Sequence, residues 1–357
     1  MKRIKKISKI EKQFADTLKK VPKSSRMVDP SKLVPTGSTT FNLECSGRVE
    51  GAFALGKLVN IIGDSSAGKS IFSLAIFAEC SLDDRFKDYR FIYDDVEAAN
   101  EFDLAYLFGD KVNDRIDQSI RSKTIEELND NLARSLSEKK KFIYILDSFD
   151  GLTSEAAVKK DAANRVKREK GNKTDGSYGD GKAKKASEMF NLRIQDLADH
   201  ESLLVIISQT RDNIGFGAMF TPKTRSGGKA LKFYSAHEIW LACQKKEKEG
   251  KRTVITNVQA KITKNKLTGR HGEAYFPILF DYGVDNISSC IDFICDEGNW
   301  TEKAKVINSK DFAETMKKPL LVKHIEDNNL EEDLFHVCQE TYDEIMEKLK
   351  PNRKRRY

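Results

Sequence analysis

The octapeptide Gly63-Asp64-Ser65-Ser66-Ala67-Gly68-Lys69-Ser70 constrains this chain more than any other stretch. It fits G-x-x-x-x-G-K-[ST], a loop that cradles phosphate. The two glycines let the backbone close round phosphate oxygens, and successive N–H groups point inward as an anion nest. Upstream, Leu58, Val59, Ile61 and Ile62 form the short apolar run of a buried parallel strand. Downstream, Ile71, Leu74, Ala75 and Ala78 mark a helix face, so a helix N-terminus adds favourable potential at the loop. This strand–loop–helix context separates the motif from a chance match in a Gly/Ser-rich loop. In such a site residues 63–70 surround the phosphates, Lys69 reaches the β- and γ-phosphates, and Ser70 holds Mg²⁺ through its hydroxyl.

Arg90–Val96 (RFIYDDV) reads as a second strand, with Asp94, Asp95 and Glu97 at its carboxyl end, where open parallel sheets bind ligands. Thr124–Leu136 is a helix, apolar at Ile125, Leu128, Leu132 and Leu136, and Thr124 and Glu127 are spaced as a capping box. Lys141–Asp150 (KFIYILDSFD) is an apolar strand running into Asp147. Downstream of a phosphate loop, such an aspartate orders Mg²⁺ and its waters; the competing role is a helix N-cap. Ser202–Gln209, Ala236–Ala242, Gln259–Lys264 and Ala274–Phe280 are further strands, and Met189–Asp199 is an amphipathic helix. Alternation of this kind predicts a doubly wound α/β core with a largely parallel sheet.

Residues 158–186 interrupt the alternation, being rich in Lys, Arg and Gly; the part up to Lys170 suits a basic helix and the rest a loop. A second loop, Thr210–Gly228, mixes glycines and basic residues with Ile214, Phe216, Met219 and Phe220. Near the start, Ile4, Ile7, Ile10, Phe14 and Leu18 make one stripe of a helix that needs its own core or a neighbouring subunit to pack on. Val21–Lys32 reads as a linker. From about Val284 the chain reads as helical, over Ser288–Asp296, Lys310–Met316, Pro319–Asn328 and Leu334–Leu349, before a basic tail, Lys348–Arg356. The expected division is an N-terminal helix and linker (1–34), a nucleotide-binding core (35–284), a small, mostly helical C-terminal domain (285–346) and the tail (347–357).

Of the 357 residues, 33% are charged, and no apolar run approaches a membrane span or a signal peptide. The six cysteines form no CxxC pair, which argues for reduced core thiols rather than a metal site. A cytoplasmic protein with no membrane partner is expected.

Taken together, and in order, these stretches resemble the RecA-type strand-exchange recombinases, including the phage UvsX branch, over nearly the whole chain. Ile10–Phe14 (IEKQF) resembles the family's N-terminal helix, and Thr36–Ser38 (TGS) its entry to the core. Asp95–Ala99 (DVEAA) is similar to the segment carrying the catalytic glutamate, which places that role on Glu97. Ile145–Ser148 (ILDS) matches the aspartate motif, here Asp147, which with Ser70 would hold the metal. Ile207–Arg211 (ISQTR) matches the strand-end glutamine that senses the γ-phosphate, here Gln209. Gly227–Ser235 (GGKALKFYS) and Lys264–Lys266 (KNK) are the most specific matches; in the family the paired lysines reach a neighbour's ATP.

The resemblance implies a RecA-like core using ATP and Mg²⁺, with DNA-dependent ATP hydrolysis by Lys69, Glu97, Gln209, Lys264 and Lys266. It implies a helical homo-filament on single-stranded DNA that pairs with homologous double-stranded DNA, with mediator and single-stranded-DNA-binding proteins as further partners. The segments after Asp147 and Gln209 would face the DNA. Lys182, Lys184, Arg211 and Arg225 would neutralise phosphates, while Ile214, Met219 and Phe220 would wedge between bases or pack at a subunit contact. Gly227 and Gly228 complete this set. The chain departs from the family in its longer, more basic first loop and in its basic tail, which contacts DNA phosphates or is simply solvated. A third departure puts Leu104 where an adenine-stacking tyrosine is expected, with Phe102 and Tyr106 as substitutes. A hexameric helicase-type motor and a nucleotide-gated DNA-binding regulator are the competing functions.

Overall fold

The computed structural model describes residues 29–98, 101–174, 181–212, 223–225 and 228–354. The predicted N-terminal helix, Ile214, Met219, Phe220 and Gly227 lie outside the described residues. A short antiparallel pair, β1 (Leu33–Val34) and β2 (Phe53–Ala54), flanks helix α1 (Thr39–Ser46). Then β3 (Leu58–Gly63) leads through the phosphate loop into α2 (Lys69–Leu82), followed by β4 (Arg90–Asp95), α3 (Leu104–Phe108), α4 (Asp110–Asn113) and β5 (Ile116–Asp117). Next come α5 (Ile125–Ser137), β6 (Phe142–Asp147), α6 (Glu155–Glu169), α7 (Lys182–His200), β7 (Leu203–Asp212), β8 (Lys223–Arg225) and α8 (Gly228–Tyr234).

Strands β9 (His237–Glu249), β10 (Arg252–Asn265), β11 (Glu273–Leu279) and β12 (Gly283–Val284) complete one large sheet. Its order is β12-β11-β10-β9-β3-β7-β6-β4-β5, with β8 paired to β7. From β9 to β5 the strands run parallel; β10, β11 and β12 add on antiparallel. Successive side chains of a strand face opposite sides, and both sides are covered here. Val59, Ile61, Ile143, Ile145, Val205 and Ile207 pack with Phe72, Ile76 and Phe77 of α2. Leu58, Tyr144, Leu146, Leu204 and Ile206 pack instead with Leu128 and Leu132 of α5 and Phe190 and Leu197 of α7. Two covered faces explain why these strands read as continuous apolar runs. The architecture is the predicted RecA-like α/β core.

After β12, α9 (Asn286–Asp296), β13 (Thr301–Lys303), β14 (Val306–Ser309), β15 (Glu314–Lys317), α10 (Lys318–Asp327) and α11 (Glu331–Lys348) gather round a separate apolar cluster that includes Ile291, Trp300, Leu321 and Cys338. Here one expectation is corrected: Lys310–Met316 is not a helix. The segment turns between β14 and β15, with Phe312 N on Ser309 O at 3.1 Å and Ser309 Oγ on Glu314 O at 3.0 Å. Phe312 and Met316 stand four apart and both pack on the cluster, which imitates helical periodicity. Four other elements run longer than expected. Helix α7 starts at Lys182 rather than Met189, after Gly181 at φ 66°. Strand β7 continues to Asp212 because β8 pairs with it. Strands β9 and β10 continue as an exposed, charged hairpin joined at Gly250.

Two titrating groups in this framework act against each other. Burial, reinforced by the charge of Glu297, pushes Glu44 up to about 7. His237, fully buried beside the Phe53 ring, is pushed down to about 4 by burial, against a smaller raising effect of Asn265. Between the ordinary glutamate value and about 7 the fold keeps a proton on Glu44 that the unfolded chain releases, so stability falls as pH rises. From the ordinary histidine value down to about 4 the unfolded chain takes a proton that the folded His237 refuses, so stability falls as pH drops. Each amounts to on the order of 3 kcal/mol. Denaturant midpoints at pH 5, 6 and 7 are therefore expected to be nearly flat. Glu44→Gln should unmask a loss towards pH 5; a flat Glu44→Gln profile would contradict the opposition.

Candidate nucleotide and DNA site

The site forms where β3, β4, β6 and β7 end. At Gly63 a Cβ would lie 2.7 Å from Leu241 O, so only glycine lets the loop leave β3 beside β9. At Gly68, with φ 82°, a Cβ would lie 2.5 Å from Ile278 Cδ1. This residue is the N-cap of α2, and its left-handed backbone turns the chain into the helix. Lys69 follows, and its Nζ donates to Asp64 O at 2.7 Å across the loop. Burial lowers the Lys69 pKa, against the raising effect of the nearby Asp147, Asp64 and Glu97 charges. Ser70 Oγ donates to Asp147 Oδ2 at 2.6 Å, and Tyr93 OH donates to the same oxygen at 2.8 Å. Burial raises the Asp147 pKa, while those two hydrogen bonds lower it. Asp147 caps no helix: the turn Phe149–Gly151 has Ser148 at its N-cap. A hydroxyl and a carboxylate oxygen side by side at the mouth of a phosphate nest form a donor set suited to Mg²⁺.

Glu97 lies in the turn after β4. Its Oε1 accepts from Ser148 Oγ and, at 3.0 Å, from Gln209 Nε2. Gln209 N donates to Asp150 Oδ2 at 2.7 Å, and Arg211 Nη2 lies 3.7 Å from Asp150 Oδ1. Thr210 Oγ1 and Lys223 Nζ both donate to the Asp64 carboxylate and lower its pKa, Lys223 more than Thr210. The phosphate loop, Glu97 and the β7–β8 pair are thus one hydrogen-bonded assembly. Asp94, grouped with Glu97 by its sequence position, belongs elsewhere. It is fully buried and accepts from Ser122 N, Ser122 Oγ and Tyr144 OH at 2.8, 2.6 and 2.6 Å.

The remaining candidates are more dispersed. Lys182 and Lys184, expected in a loop, stand on the first turn of α7. Lys182 Nζ donates to Phe149 O and Asp150 O at 2.9 and 3.2 Å, which anchors the helix to the turn below Gln209. Lys184 is exposed, 4.0 Å from Glu188. Arg211 and Arg225 flank the β7–β8 pairing, with Thr210 opposite Arg225, and Gly228 opens α8. Leu104 is buried, whereas Phe102 and Tyr106 are exposed.

Lys264 lies one residue before the end of β10 and Lys266 just after it, at the end of the sheet opposite the phosphate loop. Lys264 pairs with Glu238, which pairs with Asn60, three residues before Gly63. That register sets the lysines about 10 Å behind the start of the phosphate loop and two strands to the side. Lys264 Nζ instead donates to Lys232 O and, at 3.0 Å, to Phe233 O at the end of α8. Five contacting residues had no signal of their own in the sequence: Tyr93, Ser148, Asp150, Thr210 and Lys223. Each becomes visible only once separate strand ends meet.

The family model for the RecA N-terminal domain matches residues 2–285. The chain belongs to the RecA family. Among its relatives, Protein RecA of Nautilia profundicola is 26% identical over 295 residues, covering 80% of this chain and 76% of the relative. Protein RecA of Bacteroides thetaiotaomicron is 26% identical over 298 residues, covering 82% of each. Among the described residues, no helix is long and apolar enough to cross a membrane, and no cluster of His, Cys, Asp or Glu suits a metal ion. The RecA-type site accords with that, because its metal would be held by one hydroxyl and one carboxylate together with substrate phosphates.

Proposed function

We propose that this RecA-family chain is a DNA-dependent ATPase that assembles as a helical filament on single-stranded DNA and exchanges it into homologous duplex. The observation that carries the reading is the Glu97–Gln209 hydrogen bond. It joins the carboxylate that would orient a water to Gln209 on β7, the strand that leads to the segment that would face DNA. ATP would lie with its phosphates in the nest of residues 63–70 and Lys69 against their outer oxygens. Mg²⁺, held by Ser70 and Asp147, would neutralise charge on the β- and γ-phosphates. Glu97 would hold the attacking water in line with the γ-phosphorus and accept its proton. As the γ-phosphate comes and goes, Gln209 would exchange its bond to Glu97 for one to phosphate, shifting β7 and with it Arg211.

Lys264 and Lys266 stand too far behind the phosphate loop to serve their own chain, which supports their acting on a neighbour's ATP. ATP would then cement the subunit interface and hydrolysis would loosen it. Residues 35–284 would form the ATPase and DNA-binding core, with 285–346 as the appended domain. Single-stranded-DNA-binding and mediator proteins in the cytoplasm would be its further partners.

Phosphate release from ATP is expected to rise at least about tenfold on adding single-stranded DNA, since DNA held beyond β7 would fix Gln209 and complete the site. Electron micrographs with a non-hydrolysable ATP analogue and single-stranded DNA should show open helical filaments. Closed rings, or turnover indifferent to DNA, would refute the proposal.

A further inference from the structure

The link between Lys223 and the phosphate loop is not explained by the roles above. A cavity beside the loop is lined by Asp64, Ser65, Gln209, Thr210, Asp212 and Lys223, and Lys223 is the one cation among them. Gln209 reaches Glu97 from its border, so the cavity lies on the side of the loop where a terminal phosphate would meet its attacking water. Two carboxylates, Asp64 and Asp212, face the same space. Unshielded, they would repel a terminal phosphate. Lys223 sits on Asp64, and both side chains are about half exposed, at 45% and 50%. Water screens such a pair, so a more highly charged partner can displace it.

We propose that Lys223 is a γ-phosphate-binding residue supplied in cis, which leaves Asp64 for the terminal phosphate of ATP and so selects ATP over ADP. This rests on the ATPase reading above. Its chemistry is an exchange of one charge-assisted hydrogen bond for another, with a phosphate oxygen replacing the Asp64 carboxylate. Because Lys223 pairs with Asp212 in the β7–β8 ladder, its movement carries β8 with it. Nucleotide state is thereby reported to the strand pair by a second route, independent of Gln209. ADP, lacking the terminal phosphate, would leave Lys223 on Asp64.

The test is equilibrium binding of a non-hydrolysable ATP analogue and of ADP to the full chain and to Lys223→Gln, Lys223→Arg and Asp64→Asn. Lys223→Gln should weaken the analogue about tenfold and change ADP less than about twofold. Lys223→Arg should retain most of the discrimination. Asp64→Asn should tighten the analogue, because it removes the competing carboxylate. A merely structural Lys223 would weaken both nucleotides alike. An unchanged ratio of analogue to ADP affinity in Lys223→Gln, or weaker analogue binding in Asp64→Asn, overturns the inference while leaving the ATPase reading standing. Should the unaltered chain bind neither nucleotide, the ATPase reading falls and this inference falls with it.

Discussion

Lys69→Ala is expected to lower ATP turnover at saturating single-stranded DNA by at least about a hundredfold, the scale lost when one preorganised charge is removed from a developing phosphoryl transition state. The ammonium is partly buried and donates to Asp64 O, so it is already aimed across the loop where phosphate oxygens would lie. Within the chain, Lys223 is paired with Asp64, and Lys264 and Lys266 stand at the other end of the strands from the loop, so none of them is placed to stand in for it. The fold should survive, because alanine is the better helix former at the first position of α2 and only one hydrogen bond is lost. Glu97→Gln provides the complementary result. The amide keeps an oxygen for Ser148 yet cannot accept a proton, so turnover should fall by about 10²–10⁴-fold while ATP binding persists. Single-turnover phosphate release with a separate binding assay distinguishes the two. Residual turnover of Lys69→Ala within about tenfold of the unaltered chain would remove the phosphate loop from the chemistry.

What could be read from the sequence was what is encoded locally. The strand, glycine loop and helix of residues 58–82 carry their instructions in one continuous stretch, and the doubly covered strands announce themselves by unbroken apolar runs. The distal half of the β9–β10 hairpin gave no such signal. Its residues 244–249 (QKKEKE) are mostly exposed and held by cross-strand pairing, for which polarity alternation is no guide. Likewise β13–β15 are short, with exposed faces, and Phe312 with Met316 mimicked a helix stripe. In the site, Asp147 was readable as a strand-end aspartate and Glu97 and Gln209 through resemblance to a family. Tyr93, Asp150 and Thr210 were not, because their partners lie 50 or more residues away and only strand order brings them together. Lys223 had the weakest signal of all. It is one basic residue in a basic loop, distinguished only by the ladder that sets it opposite Asp212.

The position of Lys264 and Lys266 makes the second large effect one of mixing rather than of single substitution. The double variant Lys264→Ala/Lys266→Ala is expected to be as inactive as Lys69→Ala, although its own phosphate loop is intact. In a head-to-tail filament every subunit contact is of one heterologous kind, so each ATP would lie between one chain's loop and the next chain's lysines. Mixing equal amounts of the two inactive variants then makes some interfaces whole: those where the lysine-deficient chain supplies the loop and the Lys69→Ala chain supplies the lysines. Random incorporation gives about one interface in four of that type, so turnover should recover to about a quarter of that of the unaltered chain. If the lysines acted within their own chain, the mixture would stay as dead as its parts. Losing the Lys264 contacts to Lys232 O and Phe233 O would also loosen the end of α8, by roughly 1 kcal/mol. Loosening of that kind reduces activity in the lysine-deficient chain alone and cannot be relieved by mixing. Recovery therefore separates a site shared between subunits from a weakened fold, and absence of recovery with filaments still forming would return both lysines to a structural role.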